Sequence, residues 1–78
     1  MPTAMRRDGL RMFFYSNEGE EPAHVHVERR GATAEFWLIP VESAQNSGFS
    51  AHEVRKIRRV VIENANYLRE VWRELFGA

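Results

Sequence analysis

His24-Val25-His26-Val27-Glu28-Arg29-Arg30-Gly31-Ala32-Thr33-Ala34-Glu35-Phe36-Trp37-Leu38-Ile39 is the stretch that decides the fold. Its first part, His24 to Arg29, alternates: Val25 and Val27 point one way, and His24, His26 and Glu28 the other. Arg30-Gly31 reads as a tight turn, with glycine supplying the positive φ that such a turn needs. A second strand then runs from Ala32 to Ile39. Centring the turn on Arg30 and Gly31 predicts a register. Arg29 pairs Ala32, Glu28 pairs Thr33, Val27 pairs Ala34, His26 pairs Glu35, Val25 pairs Phe36 and His24 pairs Trp37. A slip of one residue would set the valines against Glu35 and Trp37, so burial of one face selects this register.

Outward from the hairpin, Leu10 to Tyr15 is a short aromatic-rich strand that ends at the turn cluster Ser16-Asn17-Glu18-Gly19. On the other side Pro40 stops the last strand. Pro40 to Phe49 reads as a loop with a short helical turn over Val41 to Gln45. Ser50-Ala51-His52-Glu53 is a capping box, with Phe49 and Val54 at the staple positions. Val54, Ile57, Val61, Ala65, Leu68, Trp72 and Leu75 then recur at threes and fours, which predicts a helix up to the stop at Gly77. The fold class expected is α+β: a three-stranded antiparallel meander followed by a long C-terminal helix packed on one face. Its core would hold Val25, Val27, Ala34, Phe36, Val54, Ile57, Val61 and Leu68.

The 78 residues make a single domain, 1–78, with room for only one small core. No cysteine is present, so neither a disulfide framework nor thiol chemistry is available. Eleven basic residues balance 11 acidic ones, which removes global attraction to nucleic acid or an anionic membrane. No stretch approaches the roughly 18 apolar residues of a membrane span. The opening Met1 to Arg7 has no apolar run after its charges, so no signal peptide is read and a cytoplasmic location is expected. No phosphate-cradling glycine loop and no cofactor motif appear, and no cofactor is assigned.

Helix length points to a partner. Ser50 to Phe76 as one rod is about 40 Å long, whereas a six-residue strand spans about 20 Å. One end must overhang, unless the chain bends near Asn64-Ala65-Asn66, where helix propensity is weak. The overhanging half carries Tyr67, Leu68, Val71, Trp72, Leu75 and Phe76, an apolar face that soluble monomers avoid exposing. A homodimer or a small protein partner would cover it.

Chemistry concentrates on one strand face. His24, His26 and Glu28 project together, and the register adds Glu35 across from His26. His24, His26 and Glu35 could act as acid and base in phosphodiester cleavage. The same face could hold zinc, manganese or iron, although no metal is assigned as the first choice. The plainer reading is structural: a His26–Glu35 cross-strand pair contributes about 0.2–1 kcal/mol, and His24 packs on Trp37. Arg55, Lys56 and Arg59, with Arg58 between them, form a basic stretch able to touch phosphates. Against that, the helix face would be solvated and Glu63 would pair Arg59.

Four segments resemble a known family. Met1-Pro2-Thr3, Phe13-Phe14-Tyr15-Ser16-Asn17-Glu18-Gly19, Glu21-Pro22-Ala23-His24-Val25-His26-Val27 and Ala34-Glu35-Phe36-Trp37-Leu38 resemble the small bacterial family called domain of unknown function 4160. The likeness runs to Gly77. Ala23 departs from it, since the family often has a second proline there. The resemblance implies an uncharacterised cytoplasmic protein whose recurring histidines fall on His24 and His26. It also implies frequent pairing with a second small family of unknown function, numbered 2442, in a toxin–antitoxin-like arrangement. The function expected is therefore a protein-interaction module acting through Tyr67 to Phe76. The alternatives are a small metal-independent ribonuclease and a metal-binding protein using the histidine face.

Overall fold

The computed structural model describes residues 3–77; Met1 and Pro2, part of the opening segment read above, lie outside them. Five strands run in chain order: β1 (Thr3–Arg7), β2 (Leu10–Phe13), β3 (His24–Arg29), β4 (Ala32–Leu38) and β5 (Val41–Ser47). Each pairs antiparallel with the next, so the sheet order is β1-β2-β3-β4-β5. Two helices follow, α1 (Ala51–Glu63) and α2 (Ala65–Phe76). The α+β class and the meander stand, but the sheet has five strands rather than three, and the single rod is two helices.

The central hairpin has the register its alternation required. All six expected pairs, from Arg29↔Ala32 to His24↔Trp37, are present. Arg30 and Gly31 both take positive φ, 50° and 85°, as a twist-matched two-residue turn demands. The same device builds β1. Asp8 and Gly9 have φ of 54° and 79°, and the turn pairs Arg7 with Leu10. At the far side, Ile39-Pro40 carries a cis peptide bond and connects β4 to β5, with Leu38 paired to Val41. The stretch expected to be a loop with a helical turn is thus a strand. Beyond Val41 every residue of β5 is exposed. No alternation betrays it, and the hydrogen bonds of β4 supply its order.

One sheet face carries the core. Met12, Phe14, Val25, Val27, Ala34, Phe36 and Leu38 pack with Phe49, Ile57, Val61, Ala65, Leu68 and Trp72. Val54, expected in the core, is only partly buried beside it. The capping box forms in full: the Glu53 amide donates to Ser50 Oγ at 3.1 Å, and the Ser50 amide donates to Glu53 Oε1 at 2.8 Å.

Asn64 breaks the rod. Its backbone (φ −114°, ψ 14°) leaves the helical region, and its side-chain amide donates to the Val60 carbonyl at 2.8 Å. Such a short polar side chain competes with the helix ladder and bends it. The Leu68 amide then resumes the ladder on the Asn64 carbonyl at 3.0 Å. The bend replaces the overhang on which the expected partner rested. Leu68 and Trp72 lie in the core, Val71 and Phe76 are half-buried, and only Tyr67 and Leu75 of the six are exposed. Tyr67 donates its hydroxyl hydrogen to the Ala4 carbonyl at 3.0 Å, tying α2 to β1. Among the described residues no helix is long and apolar enough to cross a membrane.

Candidate functional site

Strand geometry places the two imidazoles. Residues two apart on β3 share a face, so the His24 and His26 rings lie side by side, 5.2 Å between centroids. Opposite on β4, the Glu35 carboxylate sits 3.4 Å from His26 Nδ1. The structure therefore brings together the three residues expected at a site.

The fourth member comes from the β2–β3 loop. Glu18 Oε1 lies 2.9 Å from His24 Nε2 and 2.7 Å from His26 Nε2. Sequence reading placed Glu18 in the turn cluster Ser16-Asn17-Glu18-Gly19 and gave it no role at a site. The available signal was its spacing, six and eight residues before the two histidines, at the end of a turn cluster that must fold back to start β3. Local hydrogen bonds shape that fold-back: the Glu18 amide reaches the Tyr15 carbonyl at 3.4 Å, and the Glu21 amide reaches the Glu18 carbonyl at 3.1 Å. Gly19 then passes under α2 so closely that a Cβ there would lie 2.5 Å from Phe76 Cδ1.

Aromatic side chains surround the rings. Phe13 stacks on His26 at 5.5 Å and Tyr15 meets it edge-on at 4.5 Å. Trp37 and Trp72 flank His24 at 5.7 and 5.2 Å. His24 is only 2% exposed; His26, Glu18 and Glu35 are partly buried. His24 thus packs on Trp37 as expected, and it also makes polar contacts that packing alone does not need.

The partners decide where protons sit. A carbonyl only accepts, so His24 Nδ1, 2.8 Å from the Pro22 carbonyl, carries a hydrogen and donates it. The other ring nitrogen, Nε2, is then the one that faces Glu18. Burial by itself pushes the Glu18 carboxyl up, but the hydrogen bonds from His26 and His24 and the charges of those rings outweigh it, holding the group below its usual range.

Nitrogen and oxygen donors from Glu18, His24, His26 and Glu35 all lie within 4.8 Å of one another. Among the described residues no lysine or arginine forms an ion pair with Glu18 or Glu35. The electrostatics therefore suit a cation, and a phosphate would face two carboxylates. An open pocket of about 200 Å³ adjoins the cluster, lined by Phe13, Tyr15, Thr33 and Gln45 together with His26 and Glu35. The basic residues lie elsewhere. Arg55, Lys56 and Arg59 are exposed on α1, and the expected Arg59–Glu63 pair is not formed.

A five-stranded meander under two helices, with a histidine–carboxylate cluster at the sheet end, defines a small α+β protein. The family model described as Domain of unknown function (DUF4160) matches residues 9–73, and the chain belongs to that family. Comparison with curated proteins and with solved structures finds no significant match.

Proposed function

We propose that this protein binds a divalent transition-metal ion through His24 Nε2, His26 Nε2 and the Glu18 carboxylate. The observation that carries the reading is the convergence of both Nε2 atoms on one carboxylate oxygen, while the second nitrogen of each ring faces an acceptor. Pro22 would orient His24 and Glu35 would orient His26. Metal-ligating histidines are held in this way, with the far ring nitrogen hydrogen-bonded to a carbonyl or carboxylate. Two imidazoles and one carboxylate suit zinc or ferrous iron. An ion bound there takes the place of the hydrogens that now bridge the rings to Glu18.

Two other readings have less support. Acid–base cleavage of a phosphodiester needs the histidines free to reach a phosphate, and here both Nε2 atoms are engaged by Glu18. A partner-binding role for Tyr67 to Phe76 loses its main support, because Leu68 and Trp72 are spent on the core.

Titration of tag-free protein with Zn²⁺ by calorimetry, and with Co²⁺ by visible absorption, tests the proposal. One ion per chain is expected. Glu18→Gln and His26→Ala should remove binding, and Glu35→Gln should weaken it roughly 10–100-fold, the usual cost of losing an orienting partner. His52→Ala, exposed on α1, should bind as wild type. Failure of zinc, cobalt, ferrous iron and manganese to bind stoichiometrically at neutral pH would overturn the reading.

A further inference from the structure

We propose that the outer face of α1 binds the phosphate backbone of a nucleic acid. Arg55, Arg58, Arg59 and Ile62 line an open groove of about 260 Å³. Their spacing of three, four and seven puts them on one side of the helix, away from Ile57 and Val61, which are buried against the sheet. Lys56 is exposed beside them.

The fold makes no use of these charges. Among the described residues none of the four cations forms an ion pair or a side-chain hydrogen bond. Other arginines do hold the fold together: Arg11 reaches Glu28, Arg29 reaches Glu53, and Arg69 reaches the Leu38 carbonyl. Like charges four apart, as at Arg55 and Arg59, disfavour an isolated helix. Here the capping box and the buried face carry α1 in spite of them. The repulsion has no structural return and is relieved by an anion laid along the groove.

The chemistry of the groove selects the occupant. Guanidinium groups match phosphate oxygens two at a time. Ile62 is the one apolar side chain, too little to anchor a protein partner, whose binding energy centres on buried aromatic and apolar residues. With neither aromatic rings to stack on bases nor amides to read their edges among the lining residues, contact should follow the backbone and ignore sequence. Because the whole chain is neutral, attraction is local and affinity is that of non-specific binding, a Kd of roughly 1–100 µM.

Fluorescence anisotropy of the full chain with labelled DNA and RNA duplexes, read against salt, is the test. R55Q/R58Q/R59Q should weaken binding tenfold or more and flatten the log–log salt dependence by about 0.9 for each phosphate no longer neutralised. R6Q/R7Q removes charges from β1 and should leave the affinity within about twofold. Circular dichroism should show both variants folded. The proposal is overturned if wild-type protein fails to bind at low salt, or if R6Q/R7Q loses as much affinity as the α1 variant. Displacement by polyglutamate as effective as by unlabelled duplex would also overturn it, giving the groove to an acidic protein.

Discussion

Gly19 shows how much of the site depends on one absent methyl. It follows Glu18 directly, and Phe76 occupies the space that a Cβ would need. Gly19→Ala should therefore push Phe76 or the loop aside and cost about 1–3 kcal/mol, the usual range for overpacking. A urea midpoint equal to wild type would show that the close approach carries no weight. Metal affinity should fall in the same variant, since Glu18 moves with its neighbour. At this scale the histidines were legible and Glu18 was not. His24, His26 and Glu35 follow from strand alternation and from a register fixed by Gly31. Glu18 reaches the rings only because a loop closes over the sheet end, and no local periodicity encodes that closure.

Elements differ in the same way. β3 and β4 could be read because each is flanked by strands, so burial of one face imposes alternation. β1 and β5 lie at the edges, where partners supply the hydrogen bonds and composition is free to be polar. Asp8-Gly9 was nevertheless a hairpin signal of the strongest short-range kind, and with Met5 and Leu10 around it β1 could have been found. β5 offered no such cue, since Ile39-Pro40 reads as a stop and every residue of the strand beyond Val41 is exposed. The helix start was legible to the residue. Ser50→Ala removes the cap oxygen and should destabilise the protein by about 0.5–2 kcal/mol. Chemical denaturation reads that loss, and an unchanged midpoint would mean that Glu53 and the staple suffice. The bend at Asn64 was readable as weak propensity, but its role in bringing α2 back onto the sheet depends on tertiary packing. Leu68→Ala, just past the bend and fully buried, should cost about 2–5 kcal/mol. A loss near zero would imply that α2 is not docked.

For the whole molecule, acid is the informative perturbation. Among the described residues the carboxyls of Glu18 and Glu53 are held below their usual range. At Glu18 burial opposes the shift and the hydrogen bonds from His26 and His24 prevail. At Glu53 the bonds from Ser50, backbone first, and then Arg29 lower it. A depressed carboxyl contributes stability that is present above its unfolded value, 4.5 for glutamate. That stability is lost as pH falls through the lower folded value. Melting temperature of the metal-free protein should therefore drop below about pH 4.5, and a Glu18→Gln/Glu53→Gln variant should show a shallower drop. Equal slopes would place the acid sensitivity elsewhere. Metal loading should likewise weaken as pH falls, because protons compete for the imidazoles and the carboxylate.

Trp72 leans on His24, lies tilted against Phe76 with 4.2 Å between ring centroids, and Phe76 in turn roofs Gly19. These contacts close a circuit that starts and ends at the cluster and passes through the last turn of the chain. The indole is thus a built-in lamp beside the site. Its ultraviolet emission should change in step with occupancy, with no dye attached and no alteration to the chain.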